Sequence, residues 1–331
     1  MTRPEQPTLR ARTASRLRLG VLGIGPDEAG FDRRGFAGAP GPRRRLELVG
    51  RTFVSGYRAA LRDDDPGALA AALAPVDREL SGFAWEGAAM GVALRDALAP
   101  WRPARLPALL AGPGRAHRYM VHVGAGWALA RLRRAPAAIR SLDPVLRWLA
   151  LDGYGFHQGY FQPARHLHAG DRPRGFAGYA ARAFDQGLGR SLWFAQAAQP
   201  EAVRRAVGAF EETRRPDLWS GVALAAAYAG GASTQALEQL VAAAGPHAPH
   251  VGQGAAFAAA ARAHAGNPAL HTELACWTLT GVSARTAATL CDAAARSLPA
   301  DGHEPAYETW RRRVRAALRA VEPAPADGPR A

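Results

Sequence analysis

Apolar residues recur at spacings of three and four along most of the chain. DPGALAAALAPVDREL (65–80), EAVRRAVGAFEET (201–213) and TQALEQLVAAA (234–244) each gather them on one helical face. Asp65-Pro66, Gln199-Pro200 and Asn267-Pro268 set proline in a first helical turn, where its missing N–H leaves no bond unmade. Alternating runs of Val, Ile and Thr are absent, so nothing in the pattern predicts a sheet. The expected fold class is therefore all-α. Residues 1–45, rich in Arg, Gly and Pro and ending in GAPGPRRR, read as an irregular arm. Residues 46–322 read as one all-helical domain, and PAPADGPRA (323–331) as a disordered tail.

An internal echo runs through the helical part. EGAAMGVAL centres on Gly87, VGAGWALARL on Gly124, QGYFQPARHL on Gly159 and LGRSLWFAQ on Gly189. SGVALAAAYAGG centres on Gly221 and QGAAFAAAARAHAG on Gly254, giving intervals of 37, 35, 30, 32 and 33 residues. A small residue early in a helix, recurring at a period near 33, predicts stacked antiparallel helical hairpins in a tetratricopeptide-like or α-solenoid array. The competing reading is a non-repetitive helical globule. In a stacked array, equivalent positions line one face. Glu86, His122, Gln158, Ser220 and Gln253 would then form a polar groove walled by Trp85, Trp127, Trp193 and Trp219. Such a groove suits an elongated, flat, unsaturated ligand. Alternatively each polar group serves as the cap of its own helix.

One stretch concentrates chemistry: LDGYGFHQGYFQPARHLH (151–168). Gly153, Gly155 and Pro163 are expected to interrupt the helix here, leaving Tyr154, His157, Tyr160, Arg165 and His168 on a distorted segment. We take His157, Tyr160, Arg165 and His168 as candidate catalytic residues. Glu86, Trp85, His122, Trp127, Tyr154, Arg190, Trp193 and Gln253 are candidate substrate contacts. The alternative is a core of Phe156, Tyr160 and Phe161 with hydrogen-bonded histidines. His157, His166 and His168 with Asp152 or Asp171 have the atoms for a metal. However, residues two apart do not share a helix face, and neither HExxH nor CxxC is present, so no metal site is expected. GVLGIG (20–25) and GLGRS (187–191) lack the strand–turn–helix context of a phosphate loop, and no cofactor can be assigned.

Composition changes this picture little. The net charge of +14 and pI near 11.1 come from 42 basic residues that are all arginine. Two isoleucines, one asparagine and abundant alanine accompany them, a pattern that a GC-rich genome writes at tolerant positions. Nucleic acid is accordingly not expected as a partner; an anionic membrane surface or an acidic protein partner is compatible with the field. Cys276 and Cys291 read as structural thiols. No secretory signal or membrane-spanning segment is recognisable, so a cytoplasmic protein is expected. HEPAYETWRRRVRAALRA (303–320) is an amphipathic helix with Tyr307, Trp310, Val314, Leu318 and Val321 in its stripe. It would lie on anionic lipid or RNA, or cap the helical array.

RGFAG (34–38), FAWEGAAM (83–90), LDGYGFHQGYF (151–161), GLGRSLWF (187–194), WSGVALAAAYAGG (219–231) and QGAAFAAAARA from Gln253 carry a resemblance. Over about residues 16–320 the chain resembles the UnbL-type family of basic proteins encoded beside the iterative polyketide synthase in bacterial enediyne gene clusters. The resemblance implies an accessory protein of enediyne biosynthesis. It would act with a polytopic membrane protein and a larger partner on the linear polyene, to form the enediyne core precursor. It also implies a cytoplasmic protein able to sit peripherally at the inner face of the membrane. It supplies no catalytic residues. The alternative is a non-catalytic helical-repeat adaptor that assembles the other biosynthetic proteins.

Overall fold

The computed structural model describes residues 9–63 and 65–321, and these contain helices and no strand. The order begins α1 (Leu9–Leu22), α2 (Phe31–Arg34), α3 (Pro40–Arg62), α4 (Pro66–Leu73), α5 (Ser81–Leu98), α6 (Arg105–Ala111), α7 (Arg118–Arg131) and α8 (Arg147–Phe161). It continues with α9 (Gly178–Ala195), α10 (Pro200–Gly208), α11 (Arg215–Ala229), α12 (Thr234–Ala244), α13 (Ala248–Ala265), α14 (Leu270–Thr280), α15 (Ala284–Ala294) and α16 (Ala306–Ala320). One expectation needs correction. The arm is not irregular throughout: α1 is helical, and α3 starts at Pro40, because proline at the first helical position is preorganised for it. Residues 1–8 and the tail 323–331 lie outside the described residues.

Seven long helices, α3, α5, α7, α8, α9, α11 and α13, pack each on the next. Glycine makes this possible. A Cβ at Gly87, Gly124, Gly153, Gly187, Gly221 or Gly254 would fall 1.9, 2.0, 2.0, 1.7, 1.8 or 2.1 Å from a backbone oxygen of the preceding long helix. Those oxygens belong to Phe53, Glu86, Val123, Asp152, Gln186 and Ser220 respectively. Only a residue without Cβ tolerates that approach, despite a helix-propensity cost of about 1 kcal/mol. The spacing therefore corrects the register read from sequence. Gly159 and Gly189 face the following helix instead, at Ser191 and Leu218. Gly153 and Gly155 do not interrupt α8, which runs unbroken; they let Val123 and Phe184 approach from either side. Pro163 does end it, and a π turn follows at Ala164–His168.

Successive long helices run in the same direction. Phe53 meets Gly87 and Ala60 meets Gly91; Asp152 meets Gly187 and Gly159 meets Ser191. An antiparallel relation is seen instead where shorter helices lie on long ones: Leu22 meets Tyr57 and Arg18 meets Leu61 between α1 and α3, and Cys276 meets Ala255 and His271 meets Arg262 between α14 and α13. The path curls until late helices reach early ones. Arg45 Nε donates to the carbonyl of Ala229 (2.8 Å), and Arg262 Nη1 donates to those of Glu79 (3.1 Å) and Asn267 (2.9 Å). Gly82 lies under the Tyr228 hydroxyl. Helix α16 closes the interior from another side: Tyr307, Trp310 and Val314 are buried against α13 and α15. No helix among the described residues is long and apolar enough to cross a membrane.

Candidate functional site

The side chain just before each packing glycine points inward. This row is Glu86, Val123, Asp152, Gln186, Ser220 and Gln253, all buried. Its polar members pair across helices rather than capping their own. Gln186 Nε2 donates to Asp152 Oδ2 (2.7 Å), and Ser220 Oγ donates to Gln253 Oε1 (3.0 Å). Four residues beyond the row members Val123 and Gln186 stand Trp127 and Arg190, each one helical turn on and on the same face. Trp127 Nε1 donates to Glu86 Oε1 (3.0 Å), while Arg190 Nη1 donates to Asp152 Oδ1 (2.5 Å) and Nη2 lies 3.8 Å from Glu86 Oε1. The guanidinium also sits 4.7 Å from the Phe156 ring centre. Two carboxyls, one arginine, an amide and an indole thus form a layer with almost no exposure.

Burial is the main influence on Glu86, and neighbouring Asp152 adds to it. Arg190 and the Trp127 N–H oppose it without cancelling it, so the carboxyl is pushed up to about 7. Glu86 can therefore be found in either protonation state near neutrality. It forms the polar floor of a void of about 40 Å³. The walls are Phe53, Phe83, Trp127, Phe156, Tyr160, Phe161 and Phe194, and the roof is Ile24, Glu28 and Ala29 from the segment between α1 and α2. Tyr160 donates its hydroxyl to the carbonyl of Ala29 (3.2 Å), and burial raises its phenol pKa. On the far side of the charged layer, Asp152 and Arg190 border a second void of about 30 Å³ near Tyr119, Tyr228 and Phe257.

The residues proposed from sequence separate into groups. Glu86, Trp127, Arg190 and Tyr160 meet at the layer and its void. Gln253 is inside but belongs to a neighbouring network, where Arg311 Nε donates to its Oε1 (3.0 Å) and Arg311 Nη1 binds Asp217 (2.6 Å) and Glu308 (2.9 Å). His157 stands edge-on to Trp127 at the margin, half-buried, with burial holding its pKa down to about 4. Arg165 and His168 do not converge with them: both are exposed, and Arg165 pairs with Asp171 (3.3 Å) at the surface. Trp85 stacks on His117, Tyr154 packs against Phe176, and Trp193 donates to the carbonyl of Gly230 (2.9 Å), all away from the void. His122 bonds the Arg118 carbonyl (2.7 Å) on its own helix. His166 is held by the Asp171 carbonyl (2.7 Å). No three His, Cys, Asp or Glu side chains converge as a metal site among the described residues. Sequence reasoning gave Asp152 only as a possible metal ligand and missed Gln186 and Tyr307, which bonds Gln186 (3.2 Å); the glycine register would have found the first two.

Comparison with protein-family models matches residues 13–318 to the family described as "Protein of unknown function (DUF1702)". The chain belongs to this family. The DUF1702 match includes all seven long helices, the charged layer and most of α16. Neither the curated proteins nor the solved structures contain a match to this chain.

Proposed function

We propose that this protein binds a flat, unsaturated, largely apolar molecule in the aromatic void above Glu86. In this reading it is the accessory protein of enediyne biosynthesis suggested by the UnbL resemblance, working on the polyketide-derived polyene beside a polytopic membrane partner. The observation that carries it is the wall of seven aromatic rings around one buried carboxyl of near-neutral pKa. Conjugated ligands stack well on such rings. The long helices form a tetratricopeptide-like, α-solenoid array in this reading, with the glycine contacts as its support. Its arginine-rich surface favours a peripheral position at an anionic membrane face in the cytoplasm.

A void of about 40 Å³ holds little more than a water molecule, whereas ligand pockets are about 300–1,000 Å³. The ligand must therefore displace the roof. Residues 24–36 are held by Phe31 N–H to Glu47 (3.0 Å), by Arg43 to Asp32 (2.6 Å), and by Phe36 edge-on to Tyr160. The exposed ion pair contributes only about 0–1 kcal/mol. The same small void favours the adaptor reading, in which the interior is only core. Chromosomal Glu86→Gln and Tyr160→Phe separate the two. The binding-site reading expects both proteins to accumulate folded and enediyne output to fall at least about tenfold. Normal output from both folded variants leaves the adaptor.

A further inference from the structure

A cleft of about 610 Å³ lies where α14 and α15 rest on α13. That is within the size of a ligand pocket, about 300–1,000 Å³. Two ties frame it. Glu273 Oε2 accepts the Ala284 N–H (3.1 Å), joining the start of α15 to α14. His264 Nε2 donates to Asp292 Oδ1 (3.0 Å), joining the far part of α15 to α13. Between the ties the facing side chains are too small to fill the gap: Ala259 and Ala263 of α13, Ala284 and Ala288 of α15, with Pro268 and Leu270 beside them. Leu270 is 71% exposed, so an apolar side chain already faces water here.

Arginine supplies the polar end. Arg78 Nε donates to the Gly266 carbonyl (2.8 Å), which pins the guanidinium at the cleft and leaves Nη1 and Nη2 as a two-pronged donor. Arg262 holds the next carbonyl, that of Asn267 (2.9 Å), and that of Tyr228 (2.6 Å). It also lines the cleft, is only 2% exposed, and its Nε has no partner. Neither arginine has a carboxylate partner among the described residues, because the local acids are engaged elsewhere: Glu79 with Arg45 and His271, Glu273 with Trp277 and Ala284, and Asp292 with His264.

We propose that this wedge binds a single-chain carboxylate amphiphile, with the carboxylate on Arg78 and the chain laid along the alanines of α13 and α15. A carboxylate matches the parallel N–H fork of one arginine. The second charge, Arg262, stands behind the first and is bound to no acid. The alkyl chain displaces water from apolar walls. Alanine keeps the space open where leucine would fill it. The site is separate from the void above Glu86 and does not depend on what that void binds.

The test titrates the full chain with decanoate, below its micelle concentration, by isothermal titration calorimetry, beside decan-1-ol and acetate. One decanoate per chain is expected. Acetate lacks eight methylenes and should bind at least about 100-fold more weakly. Arg78→Gln should weaken decanoate at least about tenfold and leave decanol within about threefold. Ala263→Phe sets a ring in the cleft and should weaken both at least about tenfold. Arg78 and Ala263 are exposed, so both variants should fold, and circular dichroism checks it; either one alone still tests the site. Arg165→Gln removes the same charge on the π turn after α8 and should change decanoate binding by less than about threefold. No decanoate binding, or acetate bound as tightly as decanoate, overturns the proposal. Undiminished binding by folded Ala263→Phe puts the ligand elsewhere and overturns the site. Equal effects of Arg78→Gln and Arg165→Gln overturn the assignment of the carboxylate to Arg78.

Discussion

Replacing Gly187 with alanine tests the packing on which the site depends. The new Cβ would lie 1.7 Å from the Asp152 carbonyl oxygen and 2.8 Å from the Phe156 backbone N. Ordinary contact begins at 3.4 Å, so α9 must move away from α8 by the missing 1.7 Å, or both helices must bend. The obstacle is backbone on both sides and cannot swing aside. Overpacking of this kind costs about 1–3 kcal/mol. The displaced residue, Asp152, also bonds Arg190 and Gln186, and loosening those buried contacts costs about 1–3 kcal/mol more. Against this stands the gain of about 1 kcal/mol from replacing a helical glycine. The net expectation is a loss of about 1–5 kcal/mol. Gly208, at the end of α10, is the control: nothing lies within 4 Å of its Cβ position, and Gly208→Ala should stabilise by about 0.5–1 kcal/mol. Urea unfolding followed by far-UV circular dichroism reads both. A Gly187→Ala protein as stable as the wild type would refute the claim that direct backbone contact sets the helix spacing.

Further expectations follow from the charged layer and the thiols. Glu86 keeps its proton in the folded state up to about pH 7, against an ordinary value of 4.5. Between those limits the folded state holds more protons than the unfolded one, so its contribution to stability is present below pH 4.5 and falls away as pH rises to 7. The loss amounts to about 3 kcal/mol and should vanish in Glu86→Gln; parallel stability–pH curves for the two proteins would count against the assignment. Arg190→Met leaves Asp152 as a buried, uncompensated charge and should destabilise by about 3–5 kcal/mol, whereas exposed Arg165→Ala should change stability by less than about 1 kcal/mol. Equal effects in urea titrations would contradict the burial assigned to the pair. Burial pushes the Cys276 thiol up to about 12 and Cys291 well above its ordinary value, so both should resist iodoacetamide at pH 8 and react once urea unfolds the chain.

The all-helical character was legible because three-and-four spacing and first-turn prolines need no tertiary information. Thr234–Ala244 came out with its ends in place, helped by the Ser233 side chain accepting from the Ala236 N–H. The candidate site was legible in part. Glu86, Trp127 and Arg190 were named, but they were placed beside residues that face elsewhere. The reason is the doubled glycines. Gly153 and Gly155, or Gly187 and Gly189, sit two apart and so face different neighbours, and sequence does not say which faces back. Choosing Gly159 and Gly189 slipped the register and replaced Asp152 and Gln186 with Gln158. The histidine cluster failed for another reason. It straddles the end of α8 at Pro163, so closeness along the chain became divergence in space. Arg311 was hidden among exposed arginines of α16, and its buried partners Asp217 and Gln253 are distant in sequence, with only Glu308 one turn back on the same helix.

The bonds from Arg45 and Arg262 that fasten late helices onto early ones bear on how such a chain can change over evolutionary time. An open stack of helical units lengthens or shortens by duplication or deletion, since each unit touches only its neighbours. Here an inserted unit would push Ala229 out of reach of Arg45, and a deleted one would drag Glu79 across Arg262. The number of units is locked. Variation is left to interior side chains that hold no charge or hydrogen bond, such as Phe53 and Phe156 on the wall of the void.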